Sequence, residues 1–140
     1  MLIVPEALIA QLVSPEDAFR AVEATFAAMA RGDAYNFPVV REALGEGRQY
    51  GFKSGLDRSG QMLGVKAGGY FPGNAAKGII NHQSTVFLFD PDTGRPTAMV
   101  GGGLLTALRT AAASAISIDR LARSDACLLY TSDAADDLTR

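Results

Sequence analysis

The chain has 140 residues, 48% of them hydrophobic and 20% charged, a formal net charge of −2, one histidine and one cysteine. This balance describes a single globular domain with enough apolar residues for its own core. It lacks the basic footprint of a nucleic-acid binder, contains no apolar run of membrane-spanning length, and offers no transition-metal cluster from one His and one Cys.

Cys127 has no partner for an intrachain disulfide, so no oxidising compartment is implied. The opening Met-Leu-Ile-Val-Pro has neither a basic n-region nor a small-residue cleavage site. A cytoplasmic location is the default expectation.

Pro5 to Leu12 reads as a turn of helix at best. A clear helix follows. Ser14 is its N-cap, Pro15 its first residue, and Asp17 stands where a capping box places its acid. Phe19, Val22, Phe26 and Met29 repeat at helical spacing and predict one buried face, and Gly32 is the C′ residue.

From Tyr35 the pattern turns to strands. These are Phe37 to Val40 with Arg41 directly after it, Gln49 to Ser54, Met62 to Phe71, Gln83 to Asp90 and Pro96 to Val100. Ala43 to Gly47 and Asp57 to Gly60 read as turns, Pro72 to Gly78 as a loop, and Pro91 to Gly94 as a tight turn. In the third of these strands Leu63, Val65 and Ala67 share one face, and Gly64, Lys66, Gly68 and Tyr70 share the other. Gly101 to Gly103 lead into a helix over about Leu104 to Arg123. Its first half is apolar nearly all round and predicts burial. A helix, several antiparallel-type strands and a helix make the fold class α+β.

Two cations stand where bulk has been left out. Lys66 lies between Gly64 and Gly68 on one strand face, so a ligand or another backbone could approach it; the alternative is a solvent-facing lysine. Arg109 sits in an alanine-rich helical run and calls for an anion, either a ligand carboxylate or one of the chain's own acids. Arg41 alone reads as a surface residue. His82, in Asn81-His82-Gln83, is a candidate acid or base by its near-neutral titration, or a plain hydrogen-bonding residue. No G-x-G-x-x-G, P-loop or G-x-S-x-G is present.

Three stretches then carry a resemblance. They are Leu63-Gly-Val-Lys-Ala-Gly-Gly-Tyr-Phe-Pro-Gly-Asn74, Asn81-His-Gln83 leading to Leu88-Phe-Asp-Pro-Asp-Thr-Gly-Arg-Pro96, and Leu104-Leu-Thr-Ala-Leu-Arg-Thr-Ala-Ala-Ala-Ser114. In order and separation they resemble the N-terminal part of the ornithine cyclodeaminase/mu-crystallin family, over about residues 1 to 126. The last stretch is the most specific.

The resemblance implies NAD(P)-dependent chemistry on a small amino or imino acid: ornithine cyclisation, alanine dehydrogenation or ketimine reduction. It implies an N-terminal substrate-binding and dimerisation domain with a mainly antiparallel sheet and flanking helices, a homodimer in the full-length parent, and a Rossmann domain that this chain lacks. It also implies Arg41, Lys66 and Arg109 as substrate-binding residues, with Arg109 and Asn81 on the cofactor side. Many members have threonine where this chain has Asn81. Lys53, in Tyr50-Gly51-Phe52-Lys53, is set aside as the substrate lysine, because the spacing to Arg109 favours Lys66.

Cys127-Leu-Leu-Tyr-Thr-Ser-Asp-Ala-Ala-Asp-Asp137 resembles one reading frame of a transposase-based sequencing adaptor. The expected division is a native segment 1–126 and a read-through tail 127–140. On that expectation NAD or NADP serves the full-length parent, and the 140-residue fragment binds no cofactor and is inactive. The alternatives are a mu-crystallin-like ligand binder and a stand-alone dimerisation module. An intact glycine-rich turn and a later acid downstream would favour catalysis over binding.

Overall fold

A computed structural model describes residues 1–127. A seven-stranded sheet carries three helices, α1 (Glu6–Leu12), α2 (Pro15–Arg31) and α3 (Gly103–Leu121). The strands are β1 (Leu2–Val4), β2 (Ala34–Asn36), β3 (Val40–Gly45), β4 (Arg48–Asp57), β5 (Met62–Tyr70), β6 (His82–Phe89) and β7 (Pro96–Gly101). Their order is β1-β7-β6-β5-β4-β2, with β3 also pairing β4. Every pairing is antiparallel except β1 with β7. The α+β class and the mainly antiparallel sheet are therefore as expected.

Local chemistry explains the helix ends. The Asp17 N–H donates to Ser14 Oγ at 3.1 Å, and the Ser14 N–H donates to Asp17 Oδ2 at 3.0 Å. The shorter Asp side chain thus completes the capping box, satisfying two amides that would otherwise be orphaned. Gly32 ends α2 in the left-handed region, with φ of 81°. Helix α3 begins without a capping side chain of its own. Its first amides are met from far away: Gly103 and Leu104 donate to the two carboxylate oxygens of Glu6, at 3.0 and 2.6 Å.

Several sequence expectations need correction. Pro5 to Leu12 is more than a turn. Glu6–Leu12 is a full two-turn helix, held by the Glu6 contacts to α3 and by Ile9, which is 1% exposed. β1 was not foreseen, because three residues are too few to show alternation; its pairing comes from β7. Of the strand expected over Phe37 to Val40 only Val40 is in a strand; Phe37 to Val39 fall in the gap between β2 and β3, and Arg41 lies within β3 rather than after it. Pro38, which has no amide proton to give a ladder, sits in the gap. The turn expected at Ala43 to Gly47 narrows to Glu46–Gly47. The loop at Pro72 to Gly78 contains a short 3-10 helix, Pro72–Lys77.

The largest correction concerns burial. The buried apolar residues of α2 are Ala18 and Ala28, whereas Phe26 and Met29 are 44% and 39% exposed. In α3 it is Ala112 and Ile116 that are buried, and the first-half leucines are only half-buried. The core is a thin layer between the helices and one sheet face. Among the described residues nothing covers the other face, where Val40, Tyr50 and Phe52 stay exposed.

No helix among the described residues is long and apolar enough to cross a membrane. The tail expectation lies, from residue 128 onward, outside the described residues.

Candidate anion-binding site

The site forms on the sheet face beneath α3. Strand register builds it in three rows. The first row holds Lys53 opposite Lys66, and Lys66 opposite Val86. The next holds Arg41, Gly51, Gly68 and Ser84 in sequence across four strands. The third holds Gln49, Tyr70 and His82. Side chains on one face recur every second residue, so the middle row lies between the other two. It contributes two adjacent glycines.

A trough results, with Gly51 and Gly68 as its floor. A Cβ on Gly51 would stand 2.1 Å from the Val40 carbonyl oxygen, and one on Gly68 2.3 Å from that of Gln83. The backbones therefore approach as only glycine allows. The cavity is about 170 Å³ and is lined by Arg41, Lys53, Lys66, His82 and Arg109 among others. Its size suits a small acid; drug-sized ligands occupy roughly 300–1,000 Å³.

The electrostatics are one-sided. Among the described residues no acid lines the cavity. The ion pairs among the described residues all involve other side chains, so Arg41, Lys66 and Arg109 have no acid partner there. The reading of Arg109 as half of an internal ion pair finds no partner among these residues, and its side chain lies exposed on α3.

Lys66 is half-buried rather than solvent-facing, and its Nζ donates to Thr106 Oγ1 at 3.0 Å. Thr106 and Arg109 are three apart on α3 and share a helix face. The bond therefore fixes Lys66 and Arg109 in one relation. Burial lowers the Lys66 pKa from its ordinary value, and the nearby Arg109 and Lys53 charges lower it further. His82 is lowered in the same direction, chiefly by burial, then by Lys66, Arg109 and Lys53. Its Nδ1, like the Ser84 hydroxyl, is buried without a hydrogen-bond partner. Burial first, and then the three nearby cations, disfavour the imidazolium form.

The structure thus brings Arg41, Lys66, His82 and Arg109 to one cavity. It does not bring Asn81 there. The Asn81 side chain holds the 3-10 segment, accepting from the Ala75 N–H at 2.9 Å and donating to the Tyr70 hydroxyl at 3.4 Å. Sequence reasoning undervalued Lys53 and missed Thr106. The Lys53 signal depends on register: Gly51-Phe-Lys53 mirrors Lys66-Ala-Gly68 only once the hairpin pairs Asp57 with Met62. Thr106 carried no signal, because its role depends on how α3 crosses the sheet.

No three His, Cys, Asp or Glu side chains among the described residues are grouped to hold a metal. A dinucleotide is a different matter: Arg109 reaches the cavity, but the Asn81 amide is already engaged and no glycine-rich turn is present.

A helical layer thus lies on one sheet face, over a glycine-floored cationic trough. The chain belongs to the ornithine cyclodeaminase/mu-crystallin family, whose sequence profile matches residues 3–130. It is 65% identical over 130 residues to an iminosuccinate reductase of Paracoccus denitrificans, covering 92% of this chain and 41% of that protein. The crystal structure of that reductase with NAD+ superposes with a TM-score of 0.83 over 90% of this chain and 39% of the reductase.

A Thermococcus litoralis Δ1-pyrroline-2-carboxylate reductase, in complex with NADH and L-proline, gives 0.84 at 28% identity, over 89% of this chain and 39% of that one. An archaeal alanine dehydrogenase dimer with bound NAD gives 0.82 at 30% identity, over 89% and 38%. The chain spans about two fifths of the length of these relatives and corresponds to their N-terminal domain.

Proposed function

We propose that this chain is the substrate-binding part of an NAD(P)-dependent reductase of small imino acids. The observation that carries the reading is the convergence of Arg41, Lys66 and Arg109 on one cavity that no acid lines. Arg109 offers a planar fork to a carboxylate. Lys66, steadied by Thr106, supplies a point charge. Arg41 closes the trough from β3. His82, held neutral, can accept or return a proton at the rim. Bound NAD(P)H would supply hydride. Arg109 and Asn81 are the residues that the family resemblance puts on its side, and the Asn81 amide keeps one acceptor and one donor position free beside its loop contacts.

On this reading the 140-residue chain binds substrate acids but turns none over, and 127–140 is read-through sequence. The test is an independent read of the coding DNA past codon 126, followed by an assay of the encoded protein for NADH oxidation with iminosuccinate formed from oxaloacetate and ammonia. Imino-acid-dependent oxidation is expected from the longer protein and none from the 140-residue chain. Steady turnover by the short chain would overturn the division of labour. A genomic stop codon after the tail would make the chain a ligand binder.

The same reading makes the uncovered sheet face a homodimer interface. Val40 pairs with Phe52, and Ser54, Val65, Phe87, Met99 and Ile3 follow in one row on that side. An apolar face of this extent marks an interaction surface. Light scattering should give twice the chain mass, and Phe52→Asp should return the monomer.

A further inference from the structure

We propose that Lys53 pairs with a second carboxylate, so that the cavity selects four-carbon dicarboxylic acids over monocarboxylic ones; this rests on the substrate-binding reading above. The first ground is charge count. Arg41, Lys53, Lys66 and Arg109 all line the same cavity, without an acid among the lining residues. One carboxylate is satisfied by an arginine fork and one further cation. Four cations exceed that need by about one carboxylate.

The second ground is register. Lys53 is the direct cross-strand partner of Lys66. Directly opposed residues hold their Cβ atoms about 5 Å apart, and like charges in that relation destabilise the ladder. The arrangement is relieved when anionic charge lies over both positions. A single carboxylate held by Arg109 and Lys66 leaves Lys53 uncompensated. A diacid whose carboxyl groups are separated by two carbons places its second charge over the neighbouring position.

The third ground is division of labour. Lys66 is tied to Thr106 and so to the Arg109 side of the trough. Lys53 has no hydrogen-bond or ion-pair partner among the described residues. It stands two residues from Gly51 on β4 and lines the same cavity as Gly51 and Gly68. Lys53 therefore sets specificity, whereas Lys66 and Arg109 hold the carboxylate common to all substrates of the site.

The experiment is calorimetric titration of the chain with succinate and with butyrate, which have the same carbon count and differ in one carboxylate. Succinate is expected to bind tighter by about tenfold or more, the size of one added charge-assisted contact. In Lys53→Met the ratio should fall to about one, and in Lys53→Arg it should return. Lys66→Met should weaken both ligands. A melting temperature for Lys53→Met at or above that of the parent chain establishes that the variant is folded. Equal affinities in the parent chain, or a preference that survives Lys53→Met, overturns the role of Lys53 and leaves the monocarboxylate site standing. If neither acid binds, the substrate-binding reading falls with it.

Discussion

Lys53 and Lys66 stand directly opposite each other on adjacent strands, two cations in one row of one sheet face. Opposed like charges work against strand pairing, so stability does not account for the pair; on the proposed reading a bound anion does. In the ligand-free chain Lys53→Met should therefore stabilise the fold, by roughly 0.2–1 kcal/mol. Thermal melts at low and high salt would check this. The gain should shrink as salt screens the repulsion. A lower melting temperature at low salt would count against the argument.

On the proposed reading, Lys66 and Arg109 act on the same carboxylate from the sheet and from the helix. Arg109→Lys keeps the charge but loses the fork, and should weaken carboxylate binding by about tenfold. Thr106→Val should weaken binding less, by freeing Lys66 from its 3.0 Å tether. Chemical-shift titration with butyrate reads both. If Arg109→Lys binds as well as the parent chain, the fork is not used.

The lowered pKa of His82 predicts an acid-side loss of stability. Its folded value lies below the ordinary 6.5, so the unfolded chain takes up the proton first as pH falls. The contribution is complete above that ordinary value and is lost as pH drops through the window beneath it. Denaturant melts between neutral and mildly acid pH should show the decline, and His82→Gln should flatten it. Bound succinate should oppose the decline, since an anion in the cavity favours the imidazolium. A His82→Gln chain with an unaltered pH profile would remove His82 from the account.

Glu6→Ala should cost about 1 kcal/mol, the usual worth of a helix N-cap. Both Glu6 oxygens accept from the first amides of α3, which has no capping side chain of its own. The loss should also reach the cavity, since α3 carries Thr106 and Arg109. Hydrogen exchange at the start of α3 would show it. Unchanged protection there would mean that water replaces the carboxylate without penalty.

What the sequence revealed follows a physical rule. Features governed by neighbours in the chain were legible: the Ser14–Asp17 capping box, the left-handed Gly32, and the Lys66 face of β5. Features governed by distant partners were not. β1 exists because β7 is there, and the opposition of Lys53 to Lys66 appears only when the hairpin register is known. The Phe26 and Met29 stripe misled for another reason. Helical periodicity marks a face that prefers to be covered, and in this chain small alanines make the close helix contacts instead.

The pairing of β1 with β7 also orders events during synthesis. Leu2, Ile3 and Val4 leave the ribosome almost a hundred residues ahead of their partners Ala98, Met99 and Val100. Until then three apolar residues have no ladder, and Glu6 has no helix end to hold. Contacts of such separation are slow to form and leave sticky segments exposed meanwhile. The nascent chain cannot close its sheet edge until the strand before α3 is made, so β1, made ahead of the other described strands, is among the last to find its place.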